Sequence, residues 1–179
     1  MRLKEKYKKE ILPALKKELG LKNDYLAPKI EKVVLNVGFG KHTKEKEYAA
    51  IVVKTLTKIT GQKPVLTKAK KAISAFKIRE GMIIGALVTL RGDRMYDFVE
   101  RLVNITFPRV RDFRGILENI IDHDGNLTIG FKEHLPFPEI KQEDIDHIHG
   151  LEITIVTSTQ NRAAALELFR LLGFPFKKN

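Results

Sequence analysis

The chain has no cysteine, which excludes disulfides, thiol catalysis and cysteine-ligated zinc together and fits a reducing, cytosolic compartment. No apolar run approaches the roughly 20 residues that a membrane-spanning helix needs. The start, MRLKEKYKKE, lacks the apolar middle of a signal peptide. Internal repeats and low-complexity linkers are absent. No nucleophile, base and orienting group stand at a signature spacing, so nothing points to catalysis. What is present is globular material: 179 residues, 43% of them apolar, enough for one domain or one domain with an appendage. These features predict a soluble intracellular protein.

Acidic residues are scarce in one half. Residues 1–80 hold 21 Lys+Arg against 8 Asp+Glu, a net of +13; residues 81–179 hold 12 against 14, a net of −2, and the two sum to the +11 of the whole chain. Most of the excess is lysine. An asymmetry of this kind is the usual footprint of a polyanion partner. Nucleic acid is the first reading and an anionic membrane surface the second. Solubility charge, on a chain rich in Lys and Glu, is the bland alternative.

Periodicity places the elements. Leu3, Tyr7, Ile11, Leu15 and Leu19 recur every fourth residue and predict a first helix that Gly20 ends, with a kink or break at Pro13. Ile30 to Phe39 reads as a strand: Val33, Leu35, Val37 and Phe39 face a core, while Lys32, Val34, Asn36 and Gly38 face away. Residues 44–60 carry the helical stripe Tyr48, Ile51, Val52, Thr55, Leu56 and Ile59, stopped by Gly61. Two or three short strands lie between Pro64 and Leu90, the last with Ile84, Ala86, Val88 and Leu90 inward and Ile83, Gly85, Leu87 and Thr89 outward. Asp93 then caps a helix that buries Met95, Phe98, Val99 and Leu102, with Pro108 beyond its end. Strands follow at Leu127 to Phe131 and Leu151 to Ile155. A closing helix buries Ala165, Leu168, Phe169 and Leu172, with Gly173 after it. Half-buried strands separated by one-faced helices predict an α+β fold: a two-layer sandwich, mainly antiparallel, with helices packed on one face of the sheet.

Several constellations invite a functional reading. GFGKHT (Gly38 to Thr43) is not a Walker A loop, because Leu35 stands where the first glycine belongs and His42 where Ser or Thr must follow the lysine. It also lacks the third glycine of a dinucleotide loop, and reads as a turn leaving a strand. DHDG (Asp122 to Gly125) and DHIH (Asp146 to His149) resemble metal ligands, with His147 and His149 on one strand face. Asp-Gly and His-Gly are also ordinary turn chemistry, so these read as loop residues, with no metal and no cofactor. The segment Lys63 to Glu80, KPVLTKAKKAISAFKIRE, is different. It holds six basic residues and one acid, with Phe76 among them and a small tip at Ser74, Ala75 and Gly81. A basic loop with one aromatic suits phosphate contacts plus base stacking. The alternative is a solvated edge hairpin whose lysines deter edge-to-edge pairing.

The runs PKIEKVVLNVGFG, TGQKPVLTKAKKAISAFKIREGMIIGALVTLRGDRMYDFVERL, PRVRDFRG, DGNLTIGFKEHLPFPEI and LEITIVT closely resemble the bacterial form of large-subunit ribosomal protein five. The likeness runs from the first helix to Pro175 and Phe176. It implies a non-enzymatic, cytoplasmic protein of the large ribosomal subunit: one domain over 1–179, with an N-terminal helix (about 2–20) and a protruding basic loop (about 68–81). It further implies that the protein holds 5S rRNA, helps attach it to 23S rRNA in the central protuberance, contacts P-site tRNA, and bridges to small-subunit ribosomal protein thirteen. A monomer off the ribosome, with no membrane partner, follows. Family motifs carried onto this sequence assign rRNA binding to Asn36, Gln62, Lys63, Thr89 and Arg91. They assign tRNA contact to Lys70, Lys71, Ser74, Phe76, Lys77 and Arg79, and the bridge surface to Arg109, Arg111 and Arg114. Two other readings compete: a membrane-surface adaptor driven by the lysine-rich first helix, and a phosphotransfer enzyme. Neither needs uncharged readers such as Asn36, Gln62 and Thr89, and the second falls with the failed loop motif.

Overall fold

The computed structural model describes residues 2–40, 46–140 and 148–177. Its architecture is α+β, as expected: a five-stranded antiparallel sheet of order β2-β3-β1-β5-β4 with four helices packed. The strands are β1 (Ile30–Gly38), β2 (Val65–Lys68), β3 (Ile83–Leu90), β4 (Leu127–Phe131) and β5 (Leu151–Thr157). The chain divides into two compact units, one of Met1–Val33, Leu90–Ile129 and Thr154–Asn179, the other of Val34–Thr89 and Gly130–Ile153.

In the first unit, α1 runs without interruption through Leu3–Lys6, a π-helical turn at Tyr7–Ile11, and Leu12–Leu19. The helix does not break at Pro13. Proline has no N–H for the carbonyl four residues back and its ring clashes with that carbonyl. One wider turn just upstream absorbs the conflict: Leu12 N–H donates to Tyr7 O, five residues back. Gly20 ends the helix at φ 62°, as its position predicts.

The same device recurs in α3, Gly92–Arg101. Pro108 does not lie beyond this helix. The chain continues through a π-helical turn, Leu102–Thr106, in which Phe107 N–H reaches Leu102 O, and then a helical turn Phe107–Arg109 that contains the proline. Asp93 is not the cap. Gly92 takes φ 61°, which puts Arg91 at the N-cap, and the Asp93 carboxylate pairs with Lys4 instead. That pairing holds Asp93 below the usual carboxylate range. The expected stripe is buried, with Met95, Phe98, Val99 and Leu102 each almost fully covered. In α4, Arg162–Leu171, the Asn161 side chain caps the first turn by accepting from Ala163 N–H at 2.9 Å. Ala165, Leu168, Phe169 and Leu172 are buried as predicted.

In the second unit, α2 spans Lys46–Thr60 and buries Val52, Thr55, Leu56 and Ile59. Leu35 and Val37 on β1, and Ala86 and Val88 on β3, are buried on the inward face. Each fully covered Leu or Val side chain stabilises the fold by roughly 1.5–3 kcal/mol. β2 pairs antiparallel with β3, Val65 facing Leu87 and Thr67 facing Gly85. Lys41, His42 and Thr43 of the GFGKHT run lie outside the described residues, as do Asp146 and His147 of DHIH.

Candidate nucleic-acid interface

The sheet leaves one face polar where the burial pattern alternates. Asn36 sits between buried Leu35 and Val37, and Thr89 between buried Val88 and Leu90. β1 and β3 are neighbours. Both side chains therefore point away from the inward face, half-buried. Neither the Asn36 amide nor the Thr89 hydroxyl forms a hydrogen bond among the described residues. A half-covered amide and hydroxyl with open capacity are suited to ribose hydroxyls, phosphate oxygens and base edges.

Gln62 is brought to the same place by the stop of α2. Gly61 takes φ 66° and its N–H returns to Thr57 O at 2.8 Å, which turns the chain sharply after Thr60. The buried Thr60 hydroxyl donates to Leu56 O at 2.7 Å and accepts from Gln62 N–H at 3.2 Å. Gln62 Nε2 then donates to Thr89 O at 3.3 Å. The structure thus joins Gln62 to Thr89 directly. One of its amide hydrogens is committed to the fold, and its carbonyl oxygen is left as an acceptor. Lys63 is exposed one residue on. Arg91 is exposed and follows β3 as the residue before α3.

The basic segment is an ordered extension of the β2–β3 hairpin. Ala69 N–H donates to Met82 O at 2.8 Å and Gly81 N–H to Ala69 O at 3.0 Å. Farther out, Ile73 and Ile78 exchange two backbone bonds of 2.9 and 3.1 Å around a 3-10 turn, Ser74–Phe76. Lys77 closes the turn at φ 56°, a left-handed conformation uncommon for any residue but glycine. Lys70, Lys71, Ser74, Lys77 and Arg79 are exposed, and Phe76 is 70% exposed. An aromatic ring held out from a tight turn and ringed by cations is a stacking platform.

Arg109, Arg111 and Arg114 are exposed in the first unit. Their loop is fixed at both ends. Phe113 stacks on Phe107 with ring centroids 5.2 Å apart. Ile116 N–H donates to Pro175 O at 2.8 Å and Lys177 N–H to Ile116 O at 2.9 Å. Gly115 is needed there, since a Cβ would lie 3.0 Å from Lys177 N.

Two histidines escaped the sequence reading. His149, expected in a loop, is 5% exposed, and His134 is fully buried. Their rings stack at 4.2 Å. His149 Nδ1–H donates to Gly150 O at 3.2 Å, which leaves its Nε2 buried without a partner. Burial first, and the neighbouring His134 second, lower the His149 pKa to about 4. Residues 15 apart in sequence give no periodic signal of such a stack. Asp122, by contrast, closes its own turn, accepting from Asn126 N–H at 2.7 Å and Asn126 Nδ2 at 3.0 Å. Among the described residues no three His, Asp or Glu side chains gather as metal ligands, and no helix is long and apolar enough to cross a membrane.

Comparison with known proteins covers almost the whole chain. The family described as "Ribosomal protein L5" matches residues 23–79, and the family described as the C-terminus of the same ribosomal protein matches residues 83–176. Large ribosomal subunit protein uL5 of Halothermothrix orenii is 50% identical over 176 residues, 98% of this chain and 98% of that protein. The protein of the same name from Fervidobacterium nodosum is 51% identical over 176 residues, 98% of this chain and 96% of its own. That from Thermoanaerobacter sp. strain X514 is 51% identical over 177 residues, 99% of each chain.

Proposed function

Because the chain belongs to the ribosomal protein L5 family, we propose that it binds 5S rRNA through the polar face of β1 and β3 and helps attach that RNA to 23S rRNA. It is a structural, non-enzymatic protein of the bacterial large ribosomal subunit. The observation that carries the RNA reading is the placement of uncharged hydrogen-bonding groups. Asn36 and Thr89 share a face on neighbouring strands, their side chains without a hydrogen bond among the described residues, and Gln62 is tied to Thr89. Neutral amides and hydroxyls supply register and recognition, while Lys63 and Arg91 supply attraction to phosphate.

The hairpin tip is assigned to P-site tRNA. Lys70, Lys71, Lys77 and Arg79 would neutralise phosphates, Phe76 would stack, and Ser74 would donate a hydrogen bond. The rigid Arg109, Arg111 and Arg114 loop is assigned to the bridge with small-subunit ribosomal protein thirteen. Off the ribosome the chain is a monomer with no metal, cofactor or membrane partner. The test is a binding isotherm of the purified protein with 5S rRNA and with an unrelated RNA of equal length at physiological salt. The proposal predicts a clear preference for 5S rRNA. Equal affinity for both would reduce the protein to a non-specific polycation and refute it.

A further inference from the structure

Glycine in a strand weakens it, because it loses the most freedom on folding and packs no side chain. Gly85 on β3 has an internal reason: a Cβ there would lie 2.7 Å from Thr67 Oγ1 and 2.9 Å from Val37 O. Gly61, Gly92 and Gly125 adopt positive φ in turns. Gly38, the last residue of β1, has neither reason. Its φ lies outside the left-handed region, a Cβ would meet nothing within 4 Å, and the residue is exposed. It lies two residues from Asn36 and so on the same outward face. The bare Gly85 adjoins it, for a Cβ at Gly85 would sit 3.8 Å from Gly38 Cα. The two strands therefore present uncovered backbone beside an amide that has no hydrogen bond among the described residues.

We infer that Gly38 is a positioning residue for RNA: its missing side chain lets the sugar–phosphate backbone settle against β1 at the depth the short Asn36 amide can reach. This rests on the RNA-binding reading above. Side chains at i and i+2 of a strand stand roughly 7 Å apart on one face. A branched side chain at position 38 would stand about as tall as the asparagine and hold a polyanion off it. The strand tolerates the weakness of glycine because what contacts that spot is outside the protein.

The test compares Gly38→Ala, Gly38→Val and Gly130→Val with wild type, by 5S rRNA binding isotherms and thermal melts. Gly130 on β4 is also exposed with open space around a Cβ, but β5 separates its strand from β1. The Gly38 variants should melt at or above wild type, since the added atoms meet nothing and the unfolded chain is restrained. Gly38→Val should bind 5S rRNA about tenfold or more weakly, with Gly38→Ala between it and wild type. Gly130→Val should stay within about twofold of wild type. Wild-type affinity in a folded Gly38→Val, or an equal loss at Gly130, overturns the inference. Should Gly38→Val melt low, Gly38→Ala decides: undiminished binding refutes it. Failure of wild type to prefer 5S rRNA sinks the RNA reading itself, whereas intact wild-type preference with indifferent Gly38 variants sinks only this inference.

Discussion

Replacing Asn36 with alanine separates recognition from folding. The amide is half-buried on the outward face of β1 and makes no hydrogen bond within the described residues, so its removal breaks none of their bonds. Asparagine is a poor strand former, and alanine is little different there, so the melt should move by no more than about 0.5 kcal/mol in stability. Binding is another matter. One or two hydrogen bonds to RNA are lost, and their RNA partners stay desolvated, which costs ~1–3 kcal/mol or about 5- to 150-fold in Kd. Because the amide is neutral, the dependence of log K on log salt should keep its slope. Thr89→Ala should behave alike. Lys70→Ala or Lys71→Ala should instead flatten the slope by about one wherever the lysine meets a phosphate, and weaken unrelated RNAs as well. The assay is a set of isotherms for 5S rRNA and an unrelated RNA at several salt concentrations, with thermal melts alongside. Normal 5S rRNA binding by the folded Asn36 and Thr89 variants, or failure only through unfolding, would refute the role given to this face.

The stacked histidines make stability depend on pH. His149 has a folded pKa of about 4 against 6.5 for the free side chain, so below pH 6.5 the unfolded chain takes up the proton first. The stabilisation is whole above pH 6.5 and lost as pH falls toward 4, by on the order of 3 kcal/mol. Denaturant melts at pH 7.5 and pH 5 should show His149→Phe losing less than wild type across that interval, and an equal loss would contradict the burial argument. Gly125→Ala should destabilise by about 2 kcal/mol or more, since the residue has φ 73° and a Cβ would lie 2.8 Å from Thr159 O; a denaturant titration within about 0.5 kcal/mol of wild type would contradict the geometry. Amide exchange in the free protein should be fast through Ile73 to Ile78 and slow along Ile84 to Leu90, because the hairpin-tip bonds are exposed and those of β3 are covered. Strong protection at the tip would count against it.

Local patterns were legible and long-range ones were not. Alternation along Val33 to Val37 assigned both faces of β1, and with them the outward place of Asn36, because a strand has period two and one face must leave water. Gly20, Gly61 and Gly173 marked helix ends because left-handed backbone favours glycine. The prolines were read by the general rule and obeyed a subtler one: at Pro13 and Pro108 a π-helical turn just upstream removes the clash without ending the helix. Asp93 looked like a cap by type and position, yet Lys4, 89 residues away, claims its carboxylate. The His134–His149 stack, the tie from Gln62 to Thr89 and the anchoring of the arginine loop by Phe107 and Pro175 join residues far apart in the chain. Periodicity carries no information about such pairs.

The central claim is that 5S rRNA lies on the polar face of β1 and β3. Covalent footprinting by mass spectrometry of the binary complex with 5S rRNA tests it most directly. The account predicts protection centred on Leu35 to Gly38, Gln62 and Leu87 to Arg91, with Arg109, Arg111 and Arg114 labelled as in the free protein. Protection of the arginine loop with the β1 and β3 face still labelled would contradict it.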